Sequence, residues 1–176
     1  MCVCSAANCT NRPVLIQQYD GSGFNRPWAE FKVGFHDPSG NYWLGNDRLS
    51  LLTANNRFKL RFDLQQNGTG NWYYAEYSWF RVLSEADDYE LQVGGFSGNA
   101  SFDALGLYQN AEKFTTFDRD NDRSSYNCAA LRGGGFWHGH CGGCLVNGAR
   151  GTGNFYWYGL PGGSRLQSSR MWLKCK

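Results

Sequence analysis

After Gly94 the chain loses every regular hydrophobic period, and none returns until Arg170-Met-Trp-Leu173. Glycine, asparagine, aspartate and aromatic residues fill the interval. A loop-built stretch of that extent is uncommon in a folded domain unless something other than backbone ladders orders it. Metals and disulfides are the usual agents, and this stretch offers both: the acidic run Asp118-Arg-Asp-Asn-Asp122, and cysteines at 128, 141 and 144. The sequence therefore predicts a regular first half and a second half held together by side-chain chemistry.

The first half carries clear periods. Pro27-Trp-Ala-Glu-Phe-Lys-Val-Gly34 reads as a short helix, with Pro27 opening it and Gly34 stopping it. A second helix is predicted over 46–54, capped by Asn46 or Asp47, with Leu49, Leu52 and Thr53 at helical spacing. Phe58-Lys-Leu-Arg-Phe-Asp-Leu64 alternates strictly and reads as a half-buried strand. The turn residues Asn67-Gly-Thr-Gly-Asn71 lead into a second strand over Trp72–Leu83, and Tyr89-Glu-Leu-Gln-Val93 alternates again. Such short connections predict an antiparallel meander covered by the two helices.

Composition removes several classes of function. Hydrophobic residues make up 41% of 176, enough for one core, and the net charge of +2 is too small to keep the chain expanded. The 17 basic residues are scattered among 15 acidic ones, so there is no concentrated footprint for nucleic acid. No apolar stretch approaches the ~20 residues of a membrane span. His36, His138 and His140 lack a paired nucleophile, so catalysis is not expected. Trp28, Trp43, Trp72 and Trp79 sit among periodic apolar residues and are expected in the core.

Seven cysteines, at 2, 4, 9, 128, 141, 144 and 175, form no quartet with structural zinc spacing. Cys141-Gly-Gly-Cys144 sits among glycines, where a redox motif would need a helix N-terminus. Structural disulfides are the better reading, with one cysteine left over. Asn8, Asn67 and Asn99 each begin an N-glycosylation acceptor pattern, consistent with secretion. No positively charged start followed by an apolar core precedes them, so no signal peptide is read, and the N-terminus reads as shortened. For Asp118-Arg-Asp-Asn-Asp122, residue types allow a solvated acidic turn or a calcium loop. An EF-hand is excluded by Arg123 at the position that must be glycine.

Beyond that run, the order of motifs becomes specific. Phe114-Thr-Thr-Phe-Asp-Arg-Asp-Asn-Asp, Asn127-Cys-Ala, Gly135-Phe-Trp, Cys141 and Val146-Asn-Gly resemble the C-terminal half of fibrinogen-related domains. Upstream, Asp20-Gly-Ser, Trp28-Ala-Glu-Phe-Lys-Val-Gly-Phe35, Tyr42-Trp-Leu-Gly-Asn46, Leu52-Thr53 and Tyr74-Ala-Glu-Tyr77 resemble the same family in the same order. The resemblance runs from about Val14 to Leu173.

The resemblance implies an α+β fold in a single domain over 1–176. Residues 1–20 would be a remnant of an N-terminal region, 21–98 plus 168–175 a central twisted antiparallel sheet with short flanking helices, and 99–167 a loop-rich calcium and ligand region. It implies Ca2+ held by the carboxylates of Asp120 and Asp122 and the carbonyls of Ser124 and Tyr126, with Asp118 in support. It implies a Cys128–Cys141 bridge and, as in the family's lectins, a cis peptide between His140 and Cys141. The acetyl pocket it implies would be lined by Phe136, Trp137, His138, His140 and Cys141, with Trp157 or Tyr158 as a wall.

Two departures imply a more open pocket: Gly142 replaces a common histidine, and only Ala149-Arg-Gly-Thr-Gly-Asn-Phe-Tyr156 stands where a long tyrosine-bearing loop usually does. Cys144 and Cys175 lack the usual counterparts, and pair with each other or with Cys2, Cys4 or Cys9. The functions implied are a secreted, calcium-dependent lectin for acetylated or N-acetyl surface sugars in innate defence, or a matrix or receptor-ligand module binding a protein. Either would be multiplied by homo-oligomerisation in a longer protein.

Overall fold

Phe58, Leu60, Phe62, Leu64 and Gln66 are buried and every residue between them is half-exposed, so one strand carries the period-2 pattern without a break over nine residues. Everything else is placed against the buried side of that strand. The computed structural model describes residues 4–5, 8–9, 12–20 and 23–176.

In chain order the elements are β1 (Cys4–Ser5), β2 (Asn8–Cys9), β3 (Val14–Tyr19), α1 (Trp28–Val33), β4 (Phe35–His36), β5 (Tyr42–Trp43), α2 (Asn46–Thr53), β6 (Phe58–Gln66), β7 (Trp72–Val82) and β8 (Leu91–Gly98). There follow α3 (Ala104–Gln109), β9 (Phe114–Thr115), α4 (Cys128–Arg132), β10 (Phe136–Trp137), β11 (Cys144–Leu145), β12 (Tyr156–Trp157) and β13 (Leu166–Cys175). Seven strands form the main sheet in the order β4-β5-β3-β13-β6-β7-β8. Its pairings are antiparallel, and the meander expected from short connections is β6-β7-β8.

The last strand lies in the middle. Residues from Leu166 to Cys175 pair with β6 on one side, and those from Ser169 to Leu173 pair with β3 on the other. The chain thus leaves the sheet after Gly98 and returns to its centre, so both ends of the loop half are anchored in the ladder. A boundary at residue 20 does not hold, because Val14–Tyr19 is an integral strand beside β13.

Two local expectations change in detail. Helix α1 starts after Pro27 and stops at Gly34, as read. Helix α2 has Gly45, not Asn46 or Asp47, at its N-cap. Both side chains serve tertiary contacts instead: Asn46 Oδ1 accepts from Trp43 Nε1 at 3.1 Å, and Asp47 Oδ1 accepts from the Tyr89 hydroxyl. The glycines at 34 and 45 have φ of +92° and +107°, and a Cβ on either would lie within 2.7 Å of backbone across the α1–β5 contact. Only glycine permits that approach.

The loop half packs on the sheet through a buried polar cluster. Gln17 Nε2, on β3, donates to Val146 O at 3.0 Å, Asn147 Oδ1 at 3.0 Å and Ser169 Oγ at 2.9 Å. Asn147 Nδ2 donates to Gly135 O at 2.9 Å, and the Tyr19 hydroxyl to Gly148 O at 2.9 Å. Gln17, Asn147 and Ser169 are fully buried, so any partner lost here leaves a group without water. Replacing Gln17 with Leu is expected to lower stability by about 2–3 kcal/mol, because Val146 O and Asn147 Oδ1 keep their burial and lose a donor. A urea titration reads this as a lower midpoint with an unchanged slope.

Candidate calcium and ligand site

The two-residue ribbon of β9 and β10 pairs Thr115 with Phe136 and Phe114 with Trp137, and it holds the acidic loop against the core. Asp118 turns inward: its Oδ1 accepts from the Trp28 amide at 2.9 Å and the Thr116 hydroxyl at 2.7 Å, tying the loop to the start of α1. Asn121 Nδ2 donates to Phe114 O at 2.8 Å. Arg123 closes on the buried Glu112 carboxylate, with Nε to Oε2 at 3.0 Å. At the far end, Asn127 caps α4 by accepting from the Ala130 amide at 2.8 Å. The loop is therefore shaped by its own side chains.

Asp120 and Asp122 are left facing each other's surroundings. Asp122 accepts from the Ser124 amide through Oδ1 and from the Cys128 amide through Oδ2, both at 2.8 Å, while Asp120 Oδ1 receives only the Asp122 amide at 3.3 Å. Burial holds Asp122 above its ordinary carboxylate range, the Asp120 charge adds to this, and the two amide bonds oppose it. A cation between them would relieve that repulsion. Among the described residues no three His, Cys, Asp or Glu side chains converge on one point. The donor set that the resemblance implies is the two carboxylates with the carbonyls of Ser124 and Tyr126, and those carbonyls accept no hydrogen bond among the described residues. Hard oxygen donors of this kind, completed by water, fit Ca2+ and suit neither zinc nor copper.

Cys128 and Cys141 form a disulfide with Cα atoms 5.3 Å apart, as the resemblance implied. The bond between His140 and Cys141 is not cis; among the described residues no peptide bond is. The chain reverses there instead through positive φ at Cys141 (+59°) and Gly142 (+70°). Tyr156, unremarked in the sequence, steadies this turn by donating its hydroxyl to Cys141 O at 3.0 Å.

The pocket walls require a larger correction. Phe136, Trp137, His138 and Trp157 are all fully buried, so none is presented to a ligand. Trp137 sits at the centre of the aromatic core, with ring centroids 5.3 Å from Phe114 and 6.2 Å from Trp43, and its Nε1 donates to Tyr89 O at 2.8 Å. Trp72 and Trp79, expected in the core, are exposed because they fall on the outward positions of β7. Of the residues expected at the ligand, His140 is exposed and Cys141 half-buried, and Tyr158 is exposed. Phe117, Tyr126 (68% exposed) and Leu131 (60% exposed) project beside the acidic loop, joined by Asn127, whose Nδ2 donates to Thr116 O at 3.0 Å.

Cys144 is a free, buried thiol beside Gln109 Oε1 and does not pair with Cys175, which is disulfide-bonded. Pairing at Cys2, Cys4 and Cys9 lies outside the described residues. Gln109, a buried residue that no sequence pattern singled out, also donates to Trp137 O at 2.9 Å. Asn67 and Asn99 are exposed, and Asn99 Oδ1 accepts from the Tyr74 amide at 2.6 Å. The pattern beginning at Asn8 runs into residues outside those described.

His138 Nε2 meets Gly134 O at 2.9 Å, its Nδ1 is buried without a partner among the described residues, and burial pushes its pKa down to about 4 from 6.5. The unfolded chain thus binds the proton between those values and the folded chain does not, so stability is present above pH 6.5 and drains as pH falls toward 4. The loss reaches about 3 kcal/mol for one group shifted this far. Thermal melts of the native chain and His138→Gln across that range are expected to show a shallower pH slope in the variant.

Comparison with known proteins agrees with this architecture. Residues 3–165 match the family described as fibrinogen beta and gamma chains, C-terminal globular domain. Protein scabrous of Drosophila melanogaster is 39% identical over 161 residues, covering 90% of this chain and 20% of that protein. Human Ficolin-3 is 38% identical over 129 residues, 73% of this chain and 42% of that protein. The chain therefore spans less than half the length of either relative. The fibrinogen-like globe domain of human ANGPTL6 superposes with a TM-score of 0.83 at 33% identity, over 92% of this chain and 77% of that one. With its sheet order, loop half and disulfide in place, this chain belongs to the fibrinogen C-terminal globular domain family.

Proposed function

We propose that this chain is a secreted, non-catalytic recognition domain whose Asp120–Tyr126 loop takes Ca2+ and whose exposed rim of Phe117, Tyr126, Leu131 and His140 receives a polypeptide partner. The observation that carries the polypeptide reading is the complete burial of Phe136, Trp137, His138 and Trp157, while Phe117, Tyr126 and Leu131, in and just after the acidic loop, are exposed. Exposed aromatic and aliphatic side chains that gain nothing for the monomer are the anchors expected of a protein interface. Disulfides at Cys128–Cys141 and Cys175 fit an oxidising, extracellular setting. Relatives described as angiopoietin-related and as microfibril-associated glycoproteins make a matrix or receptor-ligand role consistent.

A sugar-binding reading stands second. It is favoured by the relationship to a ficolin and by His140 and Cys141, which are exposed and half-buried at the turn where the resemblance implies an acetyl site. In both readings calcium acts by fixing the loop, and weak single sites gain from multiplication in a larger assembly.

Calcium at a hundredfold excess over its Kd is expected to raise Tm by about 5–10 °C, since binding to the folded state alone adds about 2.7 kcal/mol. Asp120→Ala should abolish the rise; a rise that survives in the variant would remove Asp120 from the site. For the ligand, phage-displayed peptides selected on the calcium-loaded domain should lose binding to the Tyr126→Ala/Leu131→Asp double variant. Titration with N-acetylglucosamine should give no saturable heat. Saturable heat that vanishes on chelation would instead establish the sugar reading.

A further inference from the structure

A second candidate surface lies on the opposite side of the sheet from the packed core. Trp72 opposes Gln65 across the β6–β7 ladder, and Gln65 opposes Ser168 across β6–β13. The β13 register shifts between Leu166 and Ser168, and such bulges bend a strand and re-aim its side chains. The result is a cleft of about 340 Å³ lined by Gln65, Trp72, Arg150, Gln167, Ser168 and Arg170, with Asp20 as its acid.

The chemistry of this cleft is specific. The Trp72 ring is 45% exposed, a flat apolar plate open to solvent. Gln65 and Gln167 supply primary amides, each able to donate and accept at once. The Arg170 guanidinium lies over the Trp72 ring, 5.5 Å from its centroid, and its Nε is buried with no hydrogen-bond partner among the described residues. Among the described residues the one hydrogen bond of the Arg150 side chain runs from Nη1 to Asp20 O at 3.3 Å. Among the described residues neither guanidinium has a carboxylate partner, whereas Arg26, Arg61, Arg119 and Arg123 all do. Arg150 also lines an adjoining cleft with Arg165, likewise without an ion pair, so three arginines and one aspartate edge a continuous strip.

Lone exposed arginines are usually just solvated. An exposed indole beside paired amides and unpaired guanidinium forks is a different arrangement: it offers a face for a pyranose ring, donors and acceptors for its hydroxyls, and bidentate partners for an acidic substituent. We propose that this cleft binds an acidic saccharide, with the ring on Trp72, hydroxyls on Gln65 and Gln167, and the carboxylate or sulfate on Arg170 and Arg150. The site is independent of the calcium loop and of any partner at Tyr126 and Leu131.

The test uses bacterially expressed, unglycosylated domain in 0.15 M salt, titrated with a heparin hexasaccharide, a hyaluronan hexasaccharide and neutral maltohexaose, with tryptophan fluorescence and heat as readouts. Saturable binding of an acidic hexasaccharide and none of maltohexaose is expected. Binding of both acidic probes identifies the carboxylate as sufficient, and binding of heparin alone identifies sulfate. Trp72→Ala, which removes the stacking plate, and Arg170→Gln, which removes a charge-assisted contact, should each weaken binding about tenfold or more. Arg150→Gln, on a surface loop, gives the same readout where a strand variant folds poorly. Chelating calcium should change nothing, which separates this site from the loop. Absence of binding, or equal losses in the distant exposed variant Arg81→Gln, would overturn the proposal, the latter showing only diffuse charge attraction.

Discussion

The loop half of this domain depends on a set of buried hydrogen bonds centred on one glutamine. Gln17 reaches from β3 to Val146, Asn147 and Ser169, and Asn147 passes the connection on to Gly135. A chain of some seventy residues with two-residue ribbons and one- to two-turn helices cannot bury its backbone groups in ladders alone. It satisfies them with side chains, and each one fixes a loop to a particular place on the sheet. The Asn-Gly pair at 147–148 belongs to this scaffold, since a Cβ on Gly148 would lie 1.9 Å from Asn154 O.

Around that anchor the loops extend the core of the sheet. Trp137 lies among Phe114, Trp43 and Phe80, and Gln109 links its carbonyl to Cys144. The Cys128–Cys141 bridge then spans the segment that contains Trp137, so the acidic loop on one side and the His140–Gly142 turn on the other are both mounted on a fixed core. Asp118 adds a tie to α1, and Glu112 holds Arg123. The groups that reach solvent at and near the acidic loop include the Asp120 carboxylate and the side chains of Phe117, Tyr126, Leu131 and His140. That division between fixed support and exposed rim is what a recognition domain needs, because preorganised loops lose little entropy on binding.

The sheet's outer side adds a different chemistry. Its aromatic residues are accompanied by guanidinium groups, with Arg61 4.4 Å from the Tyr74 ring centroid and Arg170 beside Trp72. The two faces of one sheet thus separate an apolar, fully packed interior from a charged and aromatic exterior.

Much of this was legible in the sequence because it is local. Strict alternation from Phe58 to Leu64 gave a strand, Pro27 and Gly34 bounded a helix, and the absence of any period after Gly94 announced loops. Motif order gave the family and the Cys128–Cys141 pair. Burial in the loop half was not legible, since no period there marks a face: Phe136, Trp137, His138 and Trp157 look like an exposed aromatic set and are core. Trp72 and Trp79 err the other way, because the alternation along β7 breaks at Ser78 and Trp79, so the buried set changes parity between Tyr77 and Phe80 and both indoles face outward. Short-range period and residue type were enough to fix which strands and helices form in the first half, and motif order was enough to fix the family. Only the tertiary structure decided which side chains reach solvent, because that depends on contacts such as Gln17 to Asn147 between residues far apart in the chain.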